Sequence, residues 1–191
     1  MRTPRHQRPA ERGIVLISSL LLLLLLTILG LSMFRSFGIQ EKIAGNLREK
    51  HRALQAAETA QQYAELWLTQ GTNVNTIAVC STLLNANANQ GTVCSNKLTT
   101  VVSNIATVPW TSNGVPVGTS YTPPGMNVVA AAGYGTFVQA PVFYISLLGP
   151  SAGGQGTVYQ IDAVGYGGTT DAIAVVESTF AINTGVRCLS C

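Results

Sequence analysis

Residues 14–34 read IVLISSLLLLLLLTILGLSMF, twenty-one consecutive residues without a charged side chain. Sixteen of them are Ile, Val, Leu, Met or Phe, including the unbroken run Leu20–Leu26. A helix rises 1.5 Å per residue, so about 20 residues cross the hydrocarbon core of a bilayer. The hydroxyls of the embedded Ser and Thr residues can bond back to the helix backbone. The segment therefore predicts a transmembrane helix.

The residues before this segment indicate its orientation. Arg2, Arg5, Arg8 and Arg12, offset by Glu11, give the first thirteen residues a formal charge of +3. Basic flanks stay in the cytoplasm, which predicts a single-pass inner-membrane protein with the rest of the chain in the periplasm. A cleaved secretory signal is the alternative. Its apolar region would be shorter, and a small-x-small cleavage site would follow.

The helical pattern continues beyond the membrane segment. Apolar residues recur at three-, four- and seven-residue steps, as on one face of a helix: Ile43, Leu47, Leu54, Ala57, Ala64 and Leu68. No proline occurs between Glu11 and Pro109, and Gly71 predicts the C-terminal end of the helix. The sequence predicts one helix over residues 14–70, on the order of 85 Å long, whose periplasmic half packs on a folded domain.

The remainder of the chain has the composition of a β domain. Three strand-like runs cover residues 138–148, 157–166 and 172–182, separated by glycine-rich stretches suited to hairpins. Residues 72–96 are interpreted as a loop region and residues 111–135 as irregular. The predicted fold class is α+β, with a small antiparallel sheet laid on the long helix. The predicted organisation is a leader (1–13), a transmembrane half-helix (14–34), a periplasmic half-helix (35–70) and a Gly/Ser/Thr-rich β domain (71–191).

The four cysteines of the chain also indicate on which side of the membrane the domain lies. Cys80, Cys94, Cys188 and Cys191 make an even count, which in an extracytoplasmic domain indicates two disulfides. The favoured pairing is Cys80–Cys94 with Cys188–Cys191. Four cysteines allow three connectivities, and all three remain open at this stage.

Charge and histidine placement argue against several functional classes. Residues 66–191 contain two basic side chains, Lys97 and Arg187, too few for the basic stripe of a specific nucleic-acid-binding face. Residues 53–191 contain no histidine, so the sequence supports neither a Ser/His/Asp nor a Cys/His site there. Asp162 and Asp171 flank a turn, but two carboxylates without a ligand loop give weak support for Ca²⁺. We expect no enzymatic activity, cofactor or metal.

The start of the chain resembles a known processing site. Glu11-Arg12-Gly13 followed at once by an apolar helix is similar to the prepilin peptidase site of type IV pilins. The resemblance implies cleavage between Gly13 and Ile14, which leaves Ile14 as an often N-methylated amino terminus. It also implies that the protein later leaves the membrane for a pilus on the cell surface.

A narrower resemblance is to the PilX-type minor pilins. The residues that carry it include Thr27-Ile-Leu-Gly30, Gln40-Glu-Lys-Ile-Ala-Gly-Asn46, Arg52-Ala-Leu-Gln-Ala-Ala-Glu58, Tyr159-Gln-Ile-Asp-Ala-Val-Gly-Tyr-Gly167 and Ala174-Val-Val-Glu-Ser-Thr-Phe180. The resemblance implies a pilin-like fold and a structural role in pilus assembly. The implied partners are major and minor pilins contacted through the N-terminal helix, the prepilin peptidase and the inner-membrane assembly platform.

One position departs from the pattern of major pilins. Most of them carry a glutamate at the fifth mature position, which in this chain is Ser18. A subunit without that carboxylate need not dock beneath a preceding one, which predicts a place at the fibre tip or in priming assembly. The alternatives are the tip pseudopilin of a type II secretion system, an adhesin that binds through residues 72–136, and a stationary envelope protein that is not processed at Gly13.

Overall fold

The computed structural model describes residues 12–81, 83–84, 91–98, 108–112, 114–130 and 135–183. Contacts divide the chain into two compact units, Met1–Gly45 and Asn46–Cys191. The leader up to Glu11 and the cysteine pair Cys188 and Cys191 lie outside the described residues. So do parts of the region 72–136 that the adhesin hypothesis concerns.

A single helix, α1, runs from Arg12 to Thr69 over 58 residues. This confirms the helix predicted over residues 14–70. Gly71 follows with a φ of +54°, the left-handed backbone that glycine adopts readily at a helix end. A short 3₁₀ helix, Asn73–Asn75, then leads into the sheet.

Nine strands follow in the described part of the chain. They are β1 Ile77–Ala78, β2 Leu83–Leu84, β3 Val93–Cys94, β4 Thr111–Ser112, β5 Val115–Pro116, β6 Gly118–Ser120, β7 Val142–Pro150, β8 Gly156–Tyr166 and β9 Ile173–Asn183. Seven of them form one sheet, whereas β4 and β5 pair separately. The three long strands match the three runs that the sequence predicted.

The long strands form the antiparallel meander that the sequence predicted, and the short strands make the complete sheet mixed. β7 pairs with β8, and β8 pairs with β9, both antiparallel. On the other edge of β7, β6 pairs antiparallel with residues 142–143, and β3 pairs parallel with residues 145–146. β1 extends the sheet beyond β3, and β2 extends it beyond β6, both in parallel. The pilin-like α+β layout of a long apolar helix and a sheet is thereby confirmed.

The helix meets the sheet through small side chains. Ala53, Ala56, Ala57, Ala60 and Ala64 are all buried, and we define them as the alanine stripe. They continue into a core formed with Trp67, Leu68, Val93, Phe143, Ile145, Tyr159, Ile161 and Ala163. The buried face of the helix differs in part from the predicted apolar face, because the larger members of the predicted face remain exposed: Ile43, Leu47 and Leu54. Within the second unit, packing distance explains the difference, because a sheet that approaches a helix closely selects alanine over leucine.

A second core lies on the opposite face of the sheet. It joins the disulfide region to Val108, Trp110, Val117, Val142, Tyr144, Val164 and Tyr166. Its polar groups are satisfied locally: the Trp110 indole N–H donates to the Val117 carbonyl at 2.8 Å. The Tyr144 hydroxyl donates to the Asn96 carbonyl at 2.6 Å. The two cores hold the loop-rich region around residues 77–120 against the meander.

Candidate functional site

The first unit exposes a continuous apolar surface. Between Ile14 and Phe34, the large apolar side chains are 48% to 75% exposed. The most apolar 18-residue window has a mean hydropathy of 2.9, and α1 is the one helix of the described residues with the length and composition to cross a membrane. An apolar surface of this extent marks contact with lipid or with other proteins.

Three polar side chains within this surface form hydrogen bonds to the helix itself. The Ser18 hydroxyl donates to the Val15 carbonyl at 3.0 Å, and the Ser19 hydroxyl donates to the Leu16 carbonyl at 2.9 Å. Thr27 bonds in the same way to the Leu24 carbonyl. In lipid, these bonds remove most of the penalty for a buried hydroxyl. The segment therefore presents an apolar face even at its polar positions.

The residues of the predicted cleavage site lie at the start of α1. Gly13 is the second residue of the helix, and Ile14 is 73% exposed. Ser18 is one helical turn further on, and residues 14–34 contain no carboxylate. Cleavage between Gly13 and Ile14, and the meaning of Ser18, stay predictions.

A disulfide joins Cys80 and Cys94, with a Cα–Cα distance of 5.4 Å. The side-chain amide of Asn96 donates to the Cys80 carbonyl, and its oxygen accepts from the Cys80 N–H at 2.8 Å. Because Cys94 lies in β3, the disulfide fixes the segment after β1 to the sheet. The second predicted pair, Cys188 and Cys191, lies outside the described residues.

A polar clamp fixes the helix to the turn after β8, within the second unit. We define the clamp as Glu49, Arg52, Thr136, Phe137 and Gly168. The Glu49 carboxylate accepts from the Gly168 N–H at 2.6 Å and pairs with the Arg52 guanidinium at 3.0 Å. The same guanidinium donates to the Thr136 carbonyl and lies 4.5 Å from the centre of the Phe137 ring. Three separate segments are thereby tied together at the start of the second unit.

Sequence reasoning missed this clamp. Gly168 and Glu49 are 119 residues apart, and no local pattern relates them. The available signal was indirect. The resemblance to PilX-type proteins rests in part on two segments that contain or adjoin clamp residues: Arg52-Ala-Leu-Gln-Ala-Ala-Glu58 and the segment that ends at Gly167.

The electrostatics of the clamp favour the ionised carboxylate. Burial acts to raise the pKa of Glu49, but hydrogen bonds from the Gly168 N–H, Arg48 and Arg52 outweigh it, and the pKa lies below its ordinary value of 4.5. A lowered pKa in the folded state stabilises the fold at pH values above that of the unfolded group. This contribution is lost as the pH falls through the lower, folded-state value.

Arg52→Ala is expected to lower the free energy of unfolding by about 2 kcal/mol, because it leaves a partly buried carboxylate and a carbonyl without their charged donor. The matched control is Arg48→Ala, which also removes a pair with Glu49. The Arg48 side chain is 49% exposed, against 16% for Arg52. We expect Arg48→Ala to cost less than about 1 kcal/mol. Urea unfolding of the detergent-solubilised protein, followed by tryptophan fluorescence, measures both, and equal losses would contradict the assignment.

Two protein-family models match the chain. The model for the PilX N-terminal region matches residues 12–61, and the model for the type IV pilus assembly protein PilX C-terminal region matches residues 56–182. No curated protein and no solved structure matches the chain significantly. The two matched regions span the apolar helix, the alanine stripe, the clamp and all three long strands. The chain therefore belongs to the PilX family of type IV pilus assembly proteins.

Proposed function

We propose that this chain is a minor pilin that is anchored in the inner membrane by Ile14–Phe34 before assembly and acts in pilus assembly at or near the fibre tip. The observation that carries the proposal is the uncovered apolar helix that precedes a folded sheet domain. In the membrane, lipid covers that surface, and in a fibre the equivalent helices of other subunits cover it. Family membership implies a structural, non-enzymatic role, and the mechanism requires no cofactor.

The proposed topology has a cytoplasmic N-terminus and a periplasmic sheet domain. The basic leader supports this orientation through the positive-inside rule. The Cys80–Cys94 disulfide is consistent with it, because disulfides persist in the periplasm and rarely in the cytoplasm. The proposed partners are other major and minor pilins, the prepilin peptidase and the inner-membrane assembly platform.

Assembly on this proposal exchanges one apolar environment for another. The extracted helix loses lipid contacts and gains helix contacts, so the hydrophobic term changes little. Packing between helices and the force supplied by the assembly machinery then decide the outcome. The sheet domain travels with the helix because both belong to one chain.

Mass spectrometry of the mature N-terminus tests the processing step. We expect the mature protein to begin at Ile14 and to lack the first thirteen residues. Gly13→Val is expected to abolish this cleavage, because a β-branched residue excludes backbone conformations that glycine allows. Gly30→Ala is the matched control, since a Cβ at Gly30 meets nothing within 4 Å. An intact leader on the native chain, in cells that process their major pilin, would refute the proposal.

Ser18→Glu tests the tip assignment. A carboxylate there would be costly in lipid, by roughly 3 kcal/mol, unless it pairs with the amino terminus of a neighbouring subunit. We expect the native protein to label the fibre end and the variant to appear along the shaft. Ser19→Glu, which places the same charge about 100° further around the helix, should not have this effect. Native protein distributed along whole fibres would argue strongly against a tip position.

The family matches favour the pilus over the type II secretion pseudopilus, because both matched models describe PilX proteins of type IV pilus assembly. Deleting the gene should therefore abolish or reduce surface pili and leave protein secretion intact. Loss of secretion with normal pili would instead assign the protein to the type II secretion system.

A further inference from the structure

The last strand of the sheet, β9, has an outer edge that no described strand occupies. β9 pairs with β8 along eleven consecutive positions without a register shift. Its other edge has no partner strand within the described residues. Every second residue of such a strand directs its N–H and C=O groups towards the open edge. The edge is therefore long, regular and able to form hydrogen bonds.

The sequence of β9 lacks the features that protect exposed edges. Natural edge strands carry lysines, prolines or bulges that discourage pairing with another chain. Ile173–Asn183 contains no lysine, no proline and one charged residue, Glu177. A strand of this kind is expected to have a partner in the working assembly.

The side chains of β9 restrict what that partner can be. On the face turned to α1, Val176, Phe180 and Ile182 are only partly buried, and the latter two pack at the border of the first core. Apolar side chains on a neighbouring strand would complete this border. The partner strand is therefore expected to present apolar residues at alternate positions on that side.

The opposite face of β9 carries two acidic groups that form no ion pair within the described residues. Glu177 is exposed and lies directly across from Asp162 of β8, which is 6% exposed. The pKa of Asp162 is raised to about 6, first by burial and further by the charge of Glu177, against hydrogen bonds from Gln160. Both ion pairs found among the described residues involve Glu49, and neither involves this acidic pair. A cation on the partner strand would compensate the two carboxylates.

These observations also argue against self-pairing. An antiparallel pair of two β9 strands centred on Ser178 would place the two Glu177 side chains diagonally on one face. The two Asp162 carboxylates would lie close behind them. Like charges in this arrangement are destabilising. A different chain with the opposite charge fits the edge better.

We propose that the outer edge of β9 binds an extended segment of another polypeptide, which adds as a strand with alternating apolar residues and with a lysine or arginine opposite Glu177. The main-chain hydrogen bonds would supply affinity, and the basic residue would supply specificity. The inference rests on the fold and the family, and it is independent of the tip position. Another component of the pilus is the expected source of the segment.

Hydrogen exchange of the full-length protein in detergent micelles tests this directly. The probes are two short synthetic peptides that alternate valine and threonine and differ in one central residue, lysine or glutamate. We expect the lysine peptide to slow exchange of alternate β9 amides and to bind about tenfold more tightly than the glutamate peptide. Glu177→Lys should reverse this preference. Glu58→Lys, at an exposed position of α1, is the matched control and should leave it unchanged.

Several results would overturn the inference. Equal affinity for the two peptides would show that Glu177 does not select a basic residue. Protection confined to other strands would show that the peptide does not bind at the β9 edge. The β9 amides that face β8 are protected in any case. Protection of the outward-facing β9 amides without peptide would show that the chain covers its own edge, and such protection that grows with protein concentration would show self-pairing. Cleavage at Gly13, measured on Glu177→Lys, separates this inference from the proposed function. Normal processing with no peptide binding would refute only the strand-addition inference. Failed processing with intact peptide binding would refute only the proposed minor-pilin function.

Discussion

Gly165→Val is expected to lower the free energy of unfolding of the sheet domain by at least about 3 kcal/mol, the upper range for overpacking a core. A Cβ at Gly165 would overlap the Ala53 carbonyl oxygen and the Ala57 nitrogen, both of them helix backbone atoms. Backbone atoms cannot rotate away as a side chain can, so the helix and the sheet must separate. Because domains of this size are stable by only about 5–15 kcal/mol, much of that margin would disappear.

The chain offers a direct readout and a matched control for this prediction. Trp67 and Trp110, the two tryptophans of the sequence, are both buried in the second unit, so their fluorescence reports its unfolding. Ala174 lies opposite Gly165 in the register of β9 and borders a groove of about 230 Å³. Ala174→Val should therefore change stability by less than about 1 kcal/mol. Similar losses for the two variants would show that close contact with the helix is not the cause.

Replacing both Cys80 and Cys94 with serine is expected to cost roughly 2–4 kcal/mol of stability. The disulfide closes a loop with a sequence separation of 14, and its loss returns that entropy to the unfolded chain. Both positions are buried, so each serine also places a hydroxyl in the core. Urea unfolding monitored by tryptophan fluorescence measures the loss, and a reducing agent should produce a similar loss in the native protein.

The paired substitution Cys188→Ser and Cys191→Ser is the control for this second prediction. If these two residues pair with each other, they close a very short loop, and their loss should matter less. Digestion under non-reducing conditions followed by mass spectrometry reports the connectivity. A peptide that links Cys80 or Cys94 to Cys188 or Cys191 would contradict the disulfide assignment.

The clamp and the Gly165 contact have a common consequence for a pilin. Both attach the second half of α1 to the sheet, Gly165 through backbone contact with the alanine stripe and Glu49 through the Gly168 N–H. These contacts hold the helix and the sheet together in addition to the covalent chain. Variants that weaken them are expected to unfold more readily, and this follows from packing without any effect on residues 14–34.

The sequence alone was sufficient wherever the signal was local. Residues 14–34 predict a membrane-spanning helix because a long uncharged apolar run has few other stable environments in a cell. The three long strands were predicted within a few residues, since strand-forming runs separated by glycine-rich turns give a pattern readable from neighbours in the chain. The short motifs at Gly13, Arg52–Glu58 and Tyr159–Gly167 were enough to indicate the family.

Only the tertiary structure decided which distant residues meet. The two-residue strands β1, β2 and β3 are too short to show any periodicity, and their parallel pairing depends on partners far along the chain. Ala53 and Ala56 carry a weak hydrophobic signal and were not among the predicted apolar positions, which included the larger Leu47 and Leu54 beside Ala57. The close approach of Gly165 reverses the preference for larger side chains, because a helix and a sheet can come this near only where both surfaces lack bulky side chains.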